Sequence, residues 1–178
     1  MLMGQQLIFV VETNKKCNSD WIYIKDTIEH FYQYDRAHTK FSTVYMNGKG
    51  NYPNKSKEIQ SLISQYASTS ENNRSHVLYC FDCDDYDCNP ENIQFLKSAK
   101  KYCNDREYDF IWFCKDIEQV YLGSRIANTQ KKEKAATFKA KKSITQIKTD
   151  LLLYSSYRIG TSNILCVLDN YLMRKKPT

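Results

Sequence analysis

The chain has 178 residues, 42% hydrophobic and 13% aromatic with 14 tyrosines, which is enough for one domain with a full core and too apolar for a disordered chain. Its net charge of +6 hides an asymmetry: residues 1–124 carry 14 basic and 17 acidic side chains, residues 125–178 carry 12 and 3. No 18-residue apolar run occurs, and the start MLMGQQLIFVVE lacks a basic n-region and a small-residue cleavage site, so neither a transmembrane helix nor a signal peptide is expected, and a cytoplasmic location is.

In chain order, LIFVVE (7–12) is an apolar run ending in an acid and predicts a buried strand. The following stretch, capped by Ser19, carries Trp21, Ile24, Ile28 and Phe31 at helical spacing. STVYMN (42–47) predicts a second strand, stopped by the turn cluster GKGNYPN; residues 55–67 then return to helical period through Ile59, Leu62, Ile63 and Tyr66. HVLYCFD (76–82) is a third strand, and Pro90 opens a helix capped by Asn89. DFIWFC (109–114) is a fourth strand, followed by the helix that DIEQVYL begins. Residues 128–142 are polar and basic and predict a loop or mobile arm; residues 143–176 predict a helical C-terminal part, with Thr161 or Ser162 as a cap. The alternation predicts one α/β domain spanning 1–178: three layers around a mostly parallel sheet of four strands or slightly more, with C-terminal helices.

In such a sheet, ligands bind outside the carboxyl ends of the strands. Acids recur at those ends: Glu12 after the first strand, Asp82 and Asp84 after the third, Asp116 and Glu118 after the fourth. In extended backbone Asp82 and Asp84 point the same way, and oxygen ligands of this kind suit Mg²⁺ or Mn²⁺. The bland alternative is a solvated strand-to-loop turn, which is the reading for Asp85 and Asp87. Cys80-x-x-Cys83 with Cys88 raises zinc as a rival, but an extended segment sends Cys80 and Cys83 to opposite faces, and no second pair follows. The seven cysteines have no framework spacing and read as free thiols. GKG (48–50) is too short to read as a phosphate loop. A lysine-rich C-terminal third suits either a polyanion-binding surface or a solvated helix.

The order of these motifs resembles the TOPRIM domain, the metal-dependent module of topoisomerases, primases and OLD-family nucleases, and within it the RloB-like, abortive-infection branch. The likeness rests on Glu12 in FVVETN, Asp20 in SDWIYI, Asp82 and Asp84 in FDCDD, NPENIQFLKSAKK, Glu118 in DIEQVYL, the pair Phe138-Lys139, and TSNILCVLDNYL. The glycine usual after the first acid is Thr13 here, two extra residues separate Glu12 from Asp20, and no Ser-Asn-Pro run precedes DIE. The resemblance implies a Rossmann-like TOPRIM fold and phosphodiester cleavage in DNA or RNA, with an ATPase as a candidate partner. Glu12, Asp82 and Asp84 would hold Mg²⁺ or Mn²⁺, and Asp20 or Glu118 would complete a second position. Lys139 or Lys141 would meet the phosphate, and Lys131, Lys132, Lys134 and Lys142 would grip the backbone. The alternative is a non-catalytic TOPRIM-like module that binds nucleic acid or a partner protein.

Overall fold

The computed structural model of the chain describes residues 4–176. Residues 1–3, part of the start read above for a signal peptide, and residues 177–178, the end of the expected domain, lie outside the described residues.

Five strands form the central sheet: β1 (Gln5–Val11), β3 (Thr39–Tyr45), β4 (Arg74–Asp82), β5 (Asp109–Cys114) and β6 (Thr161–Ser162), in the order β3-β1-β4-β5-β6. The first four are mutually parallel, and the short β6 runs antiparallel on the outer edge of β5. A two-residue strand, β2 (Tyr32–Gln33), pairs with β7 (Met173–Arg174) away from this sheet. The expected four-strand parallel sheet is therefore present, with one antiparallel strand added.

β1 reads as an unbroken apolar run because both its faces are covered. Leu7, Phe9 and Val11 face one core and Ile8 and Val10 the other, all fully buried. Full burial of each such side chain stabilises the fold by about 1.5–3 kcal/mol. The first core is closed by α1 (Ser19–Phe31), α4 (Ile117–Leu122), α5 (Lys131–Ala140) and α6 (Ile164–Leu168); the second by α2 (Ser56–Ala67) and α3 (Pro90–Asn104). Cys80 lies in the first core and Cys83 in the second, the opposite-face arrangement that a strand dictates. Among the described residues no helix is long and apolar enough to cross a membrane.

The C-terminal third departs from expectation. Residues 131–140 form a docked helix where a loop or arm is expected, after a 3-10 turn at Asn128–Gln130. Lys, Glu and Ala are good helix formers, and Ala135 and Phe138, three apart, supply the buried stripe. Phe138 packs edge-on against Tyr23 and Tyr121, at 5.1 and 5.7 Å between ring centres. The helix expected from residue 143 onward is instead two 3-10 turns, Ser143–Gln146 and Thr149–Leu152, before the short α6. The N-cap of α6 is Asn163 rather than the expected Thr161 or Ser162, although the Ser162 Oγ accepts from the Ile164 N–H at 3.1 Å. Asn163 is diverted to the sheet edge, where its side chain accepts from the Trp112 N–H and donates to the Phe110 carbonyl, each at 2.9 Å. Those β5 edge groups would otherwise lack a ladder partner.

Candidate metal centre

β1 and β4 are neighbours, yet the chain leaves them toward opposite faces, β1 to α1 and β4 to α3. Such a divergence opens a crevice at the carboxyl edge. Glu12 and Asp82 sit at its two lips, and the Glu12 Oε1 accepts from the Asp82 N–H at 2.9 Å. The crevice is a pocket of about 390 Å³ lined by Glu12, Thr13, Asp20, Gly48, Asp82 and Lys131, among others. Gly48 has φ +106° and donates its N–H to the Glu12 carbonyl at 2.9 Å, so this part of the wall needs a residue without Cβ.

Two further acids approach from helix starts. Asp20, in the first turn of α1, is 5% exposed; its Oδ2 accepts from the Thr13 N–H at 3.1 Å and its Oδ1 from the Ser19 hydroxyl at 3.3 Å. Glu118, in the first turn of α4, is fully buried. Neither of its oxygens has a well-directed hydrogen bond, but the Lys131 Nζ stands 3.0 Å from Oε2. Asp82 Oδ1 accepts from the Ile117 N–H at 2.9 Å, which ties β4 to α4.

The electrostatics follow from crowding. Burial pushes the Glu12 carboxyl up to about 8, and the Asp20 and Asp84 charges add to the rise. Burial likewise raises Asp82, helped by Glu12 and Asp20, and raises Asp20 and Glu118. Burial pulls the Lys131 ammonium down, but the charges of Glu118, Asp82 and Asp20 outweigh it and hold it above its ordinary value. Four carboxyl groups thus share one lining ammonium, a local deficit of positive charge.

The remaining acids of the FDCDDYD loop are neutralised by the protein itself. Asp84 has φ +48°, so it does not continue the extended backbone that would aim it alongside Asp82. Its carboxylate pairs with Lys49 and approaches Arg125 at 3.6 Å. Asp85 and Asp87, expected to be solvated, pair with Lys115 at 3.2 and 3.1 Å, and Asp85 also meets Arg125 at 3.1 Å. Arg125 further holds Asp116, the α4 cap, at 3.0 Å. Glu12, Asp20, Asp82, Glu118 and Lys131 are therefore brought together, and Asp84 stands beside them in an ion-pair network.

The basic candidates separate in the same way. Lys131, expected to grip nucleic acid, enters the acid pocket. Lys132, Lys134, Lys139, Lys141 and Lys142 are exposed. Lys139 is eight residues along α5 from Lys131, about 12 Å by helical rise, and its charge acts on Asp26 rather than on the pocket. The network cations Lys49, Lys115 and Arg125 were not candidates in the sequence reading. No local pattern marks them, because each meets its acid only through the fold.

Among the described residues, no three His, Cys, Asp or Glu side chains converge as the ligands of one ion. Mg²⁺, however, is commonly held by only one or two carboxylates, with water and phosphate completing its shell. Hard oxygen donors at two strand ends, with too little positive charge around them, fit that chemistry. No protein-family model, curated protein or solved structure matches the chain.

Proposed function

We propose that the chain is a Mg²⁺- or Mn²⁺-dependent phosphodiesterase acting on nucleic acid, built on a TOPRIM-like fold. The observation that carries this reading is the gathering of Glu12, Asp20, Asp82 and Glu118, four buried or half-buried carboxyl groups, around one ammonium at the sheet's carboxyl edge. Glu12 and Asp82 would hold the ion. When bound, such an ion lowers the pKa of a water and takes up charge on a phosphate oxygen. Asp20 orients the loop after β1 through the Thr13 N–H, and Glu118 positions Lys131. Lys131, rather than Lys139 or Lys141, is the ammonium placed to meet a phosphate oxygen.

The test is Asp82→Asn, which keeps an oxygen for the Ile117 N–H. It should abolish Mn²⁺-dependent cleavage of DNA or RNA while the melting temperature in EDTA does not fall; undiminished cleavage would count against the assignment. One observation favours the alternative of a non-catalytic module: Asp84, the second acid of the DxD, is held by Lys49 and Arg125. Mn²⁺ titration by calorimetry separates the two, since a bare scaffold gives no binding heat that Glu12→Gln removes.

A further inference from the structure

On the α3 face of the sheet, two adjoining hollows of about 400 and 430 Å³ share Tyr157 and Lys100 and form one open groove. Its wall is aromatic. The Tyr157 ring is fixed edge-on against Trp112, 5.0 Å between centres, and packs against Tyr86 at 5.7 Å. Tyr154 lines the far hollow and accepts from Arg158 Nη1 at 2.9 Å. Tyr86 belongs to the β4–α3 loop that also carries Asp84 and Asp85, so the groove begins beside the carboxyl edge of the sheet.

The rim of this groove is cationic: Lys97 and Lys100 line it, and Arg158 stands over the Tyr154 ring at 5.7 Å. Lys97, Lys100 and Arg158 are exposed and make no ion pair among the described residues, whereas Lys49, Lys115, Arg125 and Lys131 around the acids are all paired. Fixed rings with free cations alongside match a chain of bases and phosphates. Each base offers a face for stacking, and each phosphate a partner for lysine or arginine. The rings are recessed, so they suit unstacked bases rather than the closed edges of a duplex.

We propose that this groove binds single-stranded nucleic acid, with bases against Tyr86 and Tyr157 and phosphates on Lys97 and Lys100. The inference rests on the reading of nucleic acid as substrate and names the strand state that the acid pocket would receive.

The test is fluorescence anisotropy in EDTA with a labelled oligothymidine of about twelve nucleotides, within the span of known single-strand sites. Without metal, binding is read apart from cleavage. The single strand should bind more tightly than a duplex of equal length. Lys97→Gln with Lys100→Gln, both exposed and safe for folding, should reduce the salt slope by about 1.4. Tyr86→Ala should weaken binding roughly tenfold. Binding by the unmodified protein in EDTA, with no cleavage once Mn²⁺ is added, would sink the nuclease reading and spare the groove. The groove proposal is overturned if the lysine and tyrosine variants bind as the unmodified protein does. Equal affinity for duplex, or for inorganic polyphosphate, which has no bases, would also overturn it, as would a mononucleotide competing as well as the oligomer.

Discussion

Glu12→Gln offers a test of the charge crowding that needs no substrate. The amide keeps an oxygen to accept from the Asp82 N–H but cannot titrate. In the folded protein Glu12 titrates at about 8, against an ordinary 4.5, because burial and the neighbouring acids disfavour its anion. Below pH 4.5 both folded and unfolded chains keep this proton, and the stability is fully present. As pH rises, the unfolded chain releases the proton and the folded chain does not, so stability falls until pH passes about 8. By pH 7, at about 1.36 kcal/mol per pH unit, the loss from this one group reaches about 3 kcal/mol. In a chain of this length that is roughly 6–12 °C in melting temperature. Melting curves in EDTA from about pH 4 to about pH 8.5 should therefore show the variant gaining on the parent as pH rises. Relief of Asp82, which the Glu12 charge raises, acts in the same direction. A gap between the two proteins that stays constant across this range would refute the reasoning.

Mn²⁺ at roughly a hundred times its Kd should nearly close that gap, stabilising the parent by about 2.7 kcal/mol through binding; equal shifts in the parent and Glu12→Gln would remove Glu12 from the ligands. Lys131→Met leaves the fully buried Glu118 without a counter-charge and should cost roughly 3–5 kcal/mol at neutral pH, largely recovered in Lys131→Met with Glu118→Gln. Calorimetric melting checks this, and a single variant as stable as the parent would show that the pair is unimportant. Asn163→Ala strips two edge groups of β5 of their partner and should lower the urea midpoint by the equivalent of about 2 kcal/mol with no change in slope. An unmoved midpoint would mean that water serves these groups equally well.

The regular half of the molecule was legible in the sequence because its signals are local. An apolar run that ends in Glu12, the Asn89-Pro90 helix start and the helical spacing of Ile93, Leu96, Ala99 and Cys103 each carry their own period or cap, although Ile93, in the first turn, is exposed and only the other three are buried. Even the separation of Cys80 from Cys83 follows from strand alternation. α5 was obscured because only Ala135 and Phe138 are buried on a helix otherwise rich in lysine, so its docking face is two residues wide. β6 was obscured because a two-residue strand has no period to read.

Sequence alone determined that acids stand at the carboxyl ends of several parallel strands, since strand limits and acidic positions are both local facts. Which acids share a pocket was decided only by tertiary structure. The opposite exits of β1 and β4 create the crevice that unites Glu12 with Asp82, and the left-handed turn at Asp84 hands that acid to Lys49 and Arg125. Lys131, 13 residues beyond Glu118 in the chain, reaches it because α5 packs on α1. Charge pairing of this kind depends on distances across the fold, to which spacing along the chain gives no access.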